Sequence, residues 1–157
     1  METILVGVDG SQGARRALRY AAAEAVLRGA RLRIICAWRL PSQIYLDGAL
    51  PEETLEGFRF NAEQIVRDAL REVELANPGL ECEAAALEGQ PADVLIREAE
   101  KASLVVVGNR GHGGFSSLLL GSVGQQVVHH AHCPVLVVPH DLELTPTARD
   151  PGLPASR

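Results

Sequence analysis

Five short apolar runs alternate along the chain with longer segments in which apolar residues recur at every third or fourth position. The runs are ILVGV (Ile4 to Val8), RLRIICAW, the weaker ECEAAALEG, LVVVG (Leu104 to Gly108) and PVLVV (Pro134 to Val138). Runs of four to eight such residues bounded by turn signals predict strands. Between the first two, ARRALRYAAAEAVLRG carries Ala14, Leu18, Ala21 and Ala25 on one helical stripe, with Ser11 as a cap and Gly29 as a stop. A second helix is predicted from about Glu52 to Ala76, with Leu55, Phe58, Ala62, Ile65, Val66, Ala69, Leu70 and Val73 as its apolar positions. Asn77-Pro78-Gly79 terminates it. Pro91 opens a third helix, PADVLIREAEKA, and a fourth covers about Ser122 to His130.

The predicted order is therefore β-α-β-α-β-α-β-α-β. Strands that are apolar throughout, rather than alternating, belong to a parallel sheet covered on both faces. The expected fold is an open five-stranded parallel α/β sheet with helices on both faces, Rossmann-like, with right-handed crossovers. Residues 1–140 form one domain on this reading. The proline-bearing segment 141–157 has little apolar content and reads as a flexible tail. Ligands of such sheets bind beyond the carboxyl ends of the strands, where strand order reverses. That rule directs attention to Asp9 to Ser11, Ala37 to Leu40, and Gly108 onward.

At the last of these places the sequence reads GNRGHGGFSSLLLGS, with glycines at 108, 111, 113, 114 and 121. A tight turn needs one or two glycines. The spacing instead predicts a phosphate cradle. The first amides of a helix have no partner within it, and they carry positive potential. The amides of Ser122, Val123 and Gly124 stand at such a helix start, beside the Ser122 hydroxyl. Gly108 and Gly111 would allow close approach by a bulky ligand. The competing reading is a surface loop with no ligand. The chain has no P-loop, and GVDGSQG spaces its glycines wrongly for a dinucleotide fingerprint.

Gly108, two residues, Gly111, nine residues and Gly121-Ser122 together resemble the nucleotide-binding motif of the universal stress protein family. VGVDGS after the first strand and HHAHCPVLVVP at the end are similar to the same family's first and last segments. The resemblance spans residues 3 to 139. It implies a cytoplasmic, commonly dimeric protein of the ATP-binding branch. By position it implies adenine contacts at Val8 and Ala37 and an acidic nucleotide contact at Asp9. It further implies a ribose and phosphate turn at Gly108 and Gly111, and phosphate contacts at Gly121, Ser122 and Val123. Gly124 departs from the pattern, because the ATP-binding branch often has a serine there.

Asp9 suits a ribose hydroxyl or an Mg²⁺ ion held against phosphate oxygens. It equally suits an Asx-turn or a helix cap. Arg110 and His112 could add charge to the loop. Trp38 could stack on a base or close the rim of the core.

Net charge −5 with no basic stripe argues against nucleic acid. No apolar run reaches membrane-spanning length, and METILVGV reads as a strand rather than a secretory leader. Both point to the cytoplasm. The three separated cysteines form no metal or disulfide pattern. His129, His130, His132 and Cys133 resemble a metal cluster only in sequence, since helical neighbours diverge by about 100°. No water-positioning group is recognisable beyond the proximity of Gln125 and Gln126, so a dedicated ATPase is not indicated.

The function expected is an ATP-dependent regulatory switch. The alternatives are a slow ATPase or phosphotransferase, and a nucleotide-independent dimeric adaptor. The valine-rich last strand, Pro134 to Val138, is the expected homodimer edge.

Overall fold

The computed structural model describes residues 1–40, 52–110 and 120–139. The proline-bounded loop after β2, Gly111 and His112, and the tail 141–157 lie outside the described residues.

Nine elements follow one another: β1 (Thr3–Gly7), α1 (Gln12–Arg28), β2 (Arg31–Trp38), α2 (Glu52–Ala76), β3 (Cys82–Glu88), α3 (Pro91–Ala99), β4 (Leu104–Gly108), α4 (Ser122–His130) and β5 (Val135–Val138). The five strands form one sheet in the order β3-β2-β1-β4-β5, and every pair is parallel.

Local chemistry sets the boundaries. The Ser11 hydroxyl accepts the Ala14 amide at 3.2 Å and so caps α1. Gly29 closes the same helix by donating to the carbonyls of Ala25 and Val26. β1 runs from Thr3 to Gly7 rather than from Ile4 to Val8, although the Val8 amide still reaches the Ile35 carbonyl at 2.8 Å. β5 begins one residue later than predicted. Pro134 has no amide to give the ladder, yet its carbonyl accepts the Val105 amide at 2.9 Å. α3 stops at Ala99, short of the predicted Ala102. Its continuation tightens into i→i−3 bonds from Glu100, Lys101 and Ala102 to Arg97, Glu98 and Ala99.

The two sheet faces carry separate cores. Ile4, Val6, Leu32, Ile34 and Val106 point to the side covered by α1 and α2. Leu5, Ile35, Val105 and Val107 point to the side covered by α3 and α4. Each fully buried aliphatic side chain contributes about 1.5–3 kcal/mol relative to exposure, so these ten or so central positions dominate stability. α1 buries Ala14, Ala17, Ala21, Ala22 and Ala25, which lets its backbone lie close to the strands. On α2 the buried set is Ala62, Val66, Ala69 and Val73, whereas Phe58 is on the exposed side. The expected stripe is thus narrower than the eight apolar positions suggest.

One charged residue enters the covered face. Arg33 bonds Glu98 of α3 at 2.6 and 2.8 Å and Glu83 of β3 at 3.0 Å. Burial opposes its charge, but the bonds to Glu98 and Glu83 outweigh it and raise its pKa above the ordinary arginine value.

Candidate functional site

Strand order reverses between β1 and β4. After β1 the chain departs into α1 on one face, and after β4 it goes on to α4 on the other. A crevice must open between the two departures. A cavity of about 330 Å³ lies there, within the size range of small-molecule sites. Its floor is the end of β1 (Gly7, Val8, Asp9) and the end of β4 (Val107 to Arg110). One wall is the first turn of α4, and the opposite wall is apolar, made by Ile35, Ala37, Pro91 and Leu95.

Val8, Asp9, Ala37, Gly108, Gly121, Ser122 and Val123, separated widely in sequence, all line this single cavity. Gly111 lies outside the described residues. Arg110 lines the cavity as well. Trp38 does not. It is half-buried against the α1/α2 core, on the face opposite Ala37, which removes base stacking and leaves the rim role. Asp9 Oδ1 accepts the Ser11 amide at 2.9 Å in an Asx-turn around Gly10, whose φ is 83°, and the residue borders the cavity.

The glycines divide by what demands them. A Cβ on Gly108 would sit 2.8 Å from the backbone carbon and oxygen of Gly13, and one on Gly13 would sit 2.5 Å from the Arg110 carbonyl oxygen. The packing of α1 on β4 therefore requires glycine at Gly108, which also lines the cavity. Gly13 was missed because its partner is remote in sequence. Gly121 is different. Its φ and ψ of −72° and 165° suit any residue, and the nearest atom to a Cβ would be the Asn109 carbonyl oxygen at an ordinary 3.5 Å. Among the described residues nothing demands glycine there.

α4 opens with no side-chain cap. The Gly121 amide donates to the Asn109 carbonyl at 2.7 Å, and the Gln125 amide donates to the Gly121 carbonyl at 2.9 Å. Between them the amides of Ser122, Val123 and Gly124 have no acceptor among the described residues. All three residues line the cavity. Free amides at the positive end of a helix are donors suited to an anion. A Cβ at Gly124 would meet Leu120 Cδ1 at 2.6 Å, so the departure from serine is coupled to the leucine that precedes the helix.

No group of three His, Cys, Asp or Glu among the described residues could hold a metal ion, and the rings of His129 and His130 stand 6.4 Å apart at 57°. Cys36, buried on the α1 side, has its thiol pKa pushed up to about 11, first by burial and then by the charge of Asp9. The Gln125 side chain donates back to the Leu120 carbonyl at 3.4 Å.

This constellation has a counterpart in known proteins. The universal stress protein family matches the chain over residues 1–139. The chain belongs to the universal stress protein family. A universal stress protein of Thermus aquaticus is 42% identical over 140 residues, covering 87% of this chain and 98% of the relative. One of Mycobacterium tuberculosis is 34% identical over 139 residues, and there the chain spans only 46% of the relative's length.

Among solved structures, a universal stress protein in complex with cAMP is 31% identical, covers 87% of this chain and 96% of its own, and superposes with a TM-score of 0.68. The universal stress protein of Archaeoglobus fulgidus in complex with dAMP is 27% identical, with coverage of 87% and 97% and a TM-score of 0.64. Structural relatives of this family member thus bind adenine nucleotides.

Proposed function

We propose that this universal stress protein binds ATP in the β1/β4 crevice and acts as a nucleotide-dependent regulatory switch of the cytoplasmic stress response. The observation that carries the reading is the amide triplet at Ser122, Val123 and Gly124, unpartnered among the described residues and bordering a cavity of about 330 Å³. An anionic phosphate chain satisfies those donors and the helix dipole together. Adenine fits the apolar wall near Val8, Ala37 and Leu95, and the complexes of relatives with cAMP and dAMP support an adenine nucleotide.

Asp9 is the residue that would hold Mg²⁺. A single carboxylate suits that ion, which is commonly bound through one or two carboxylates plus substrate phosphates. The ion's contribution there is charge neutralisation of the phosphates. Asp9 also keeps its turn with Ser11, so its carboxylate is held at the strand end.

Binding to the folded state alone raises its stability by about 2.7 kcal/mol at a hundredfold excess of ligand over Kd. A melting experiment with Mg-ATP therefore tests the reading. The expected outcome is a clear rise in Tm for the natural sequence and none for Gly121→Val, whose Cβ makes only ordinary contacts with the described residues. An equal rise in both would refute the assignment.

Homodimerisation belongs to the same proposal. β5 is one of the sheet's two edge strands, and Val135, Leu136 and Val137 are half-buried. Pairing two copies of β5 about a two-fold axis would cover this edge. Light scattering should report a dimer that dissociates in Val137→Lys; an unchanged dimer places the interface elsewhere.

A further inference from the structure

α3 and α4 cover the same face of the sheet and have nine residues each, but the protein holds them unequally. α3 opens on Pro91, buries Ala92, Val94, Leu95, Glu98 and Ala99, and is fastened to β2 by the ion pair of Glu98 with Arg33 at 2.6 Å. α4 buries only Gly124 and Val127, the fewest of the four helices among the described residues. Gln125, Gln126, Val128, His129 and His130 lie exposed along it. Among the described residues no ion pair reaches α4, and no side chain caps it.

Local sequence does not make up the difference. The segment SVGQQVVHH contains a glycine, three valines and two histidines, all weak helix formers, whereas PADVLIREA has Ala, Leu, Arg and Glu. A helix this short does not stand on propensity in any case. It relies on the face it buries, and α4 buries little. Elements with few buried contacts are the ones that open without the rest of the fold.

We infer that α4 is the moving part of the switch: it leaves and regains its seat while the sheet and the other helices stay folded, and the phosphates of the nucleotide hold it seated. The inference rests on the nucleotide reading of the crevice and adds the regulation of that site. The amides of Ser122, Val123 and Gly124 stand side by side only while the first turn of α4 is helical. A ligand that bonds them therefore favours the seated form, and the population shifts by that difference in affinity. Two things change together when α4 is released. Val127 leaves the core shared with α3, and the outward row of Gln125, Gln126, Val128 and His129 is no longer presented as a helix face. A partner that reads that face would sense whether the crevice is filled.

The experiment is native-state hydrogen exchange of the ¹⁵N-labelled natural sequence, with and without Mg-ATP, alongside calorimetric measurement of the Kd. It needs no variant to fold. Without nucleotide, the amides of Val127 to His130 are expected to exchange at least about tenfold faster than those of Leu95 to Ala99 in α3 and of the central strands β1 and β4. With Mg-ATP at a hundredfold excess over Kd, exchange in α4 should slow by about a hundredfold, because its opening then requires release of the ligand. Equal exchange in α3 and α4 without nucleotide overturns the inference, since α4 then opens only with the whole protein; measured ATP binding in the same sample leaves the nucleotide reading standing. Saturable ATP binding with α4 exchange unchanged overturns it as well. Absence of ATP binding overturns the nucleotide reading and the switch together.

Discussion

Two helices begin at the same crevice, α1 after β1 and α4 after β4, and they treat their first turns differently. At α1 the protein supplies part of the satisfaction itself. Asp9 takes the Ser11 amide, the Ser11 hydroxyl takes the Ala14 amide, and Gly13 is pressed against the backbone beyond β4. At α4 there is no side-chain cap and three successive amides lack acceptors among the described residues, and at Gly121 a Cβ would make only ordinary contacts with them. The difference lies in the cap: one amide of the first turn of α1 is taken by the Ser11 hydroxyl, and none of the first turn of α4 is taken by a side chain among the described residues. A glycine or a helix N-terminus therefore carries functional meaning only after the protein's own demands on it have been subtracted.

The largest expected effect lies at α1. Gly108→Val drives a Cβ to 2.8 Å from the Gly13 backbone, where no side-chain rotation gives relief. Urea unfolding should show a loss of about 3 kcal/mol or more, the range of severe overpacking. A loss below about 1 kcal/mol would mean that α1 does not rely on this contact.

Next comes the thiol beneath Asp9. The Cys36 pKa is raised to about 11 in the folded protein, against about 8.5 in an unfolded chain. Its neutral form is the one the fold favours, so stability is intact below about pH 8.5 and falls as pH rises from there toward 11, because the unfolded chain deprotonates first. Unfolding at pH 8 and pH 10.5 should show a decline on the order of 2 kcal/mol that Cys36→Ala lacks. An identical decline in the variant would assign it to other groups.

Smaller again is the cap. Ser11→Ala should cost about 1 kcal/mol, whereas Ser122→Ala, exposed and capping nothing, should stay within about 0.5 kcal/mol and instead weaken ATP binding. Equal stability losses at the two serines would erase the contrast between the helix starts.

The fold was open to reading because its determinants are local. Apolar runs, the Ser11 cap, the Gly29 stop and Pro91 each act within a few residues, and every predicted element is present. The errors fall where tertiary contacts decide. The Gly108 and Gly13 contact joins the ends of distant elements, so the sequence could not reveal that the packing of α1 requires Gly108 to be small. Trp38 and Ala37 are adjacent, yet the pleat sends them to opposite faces, and only the latter borders the cavity. Asn109 was passed over because nothing about an asparagine between Gly108 and Arg110 announces that it is buried.

The central claim is that the first turn of α4 holds the phosphates of a nucleotide. Its most direct test is the titration of ¹⁵N-labelled protein with Mg-ATP, followed through backbone amide resonances. Saturable shifts should be largest at Ser122, Val123 and Gly124 and small at Gln12 and Gly13 of α1. Saturable binding with those three resonances unmoved, or with the larger response at α1, would contradict it.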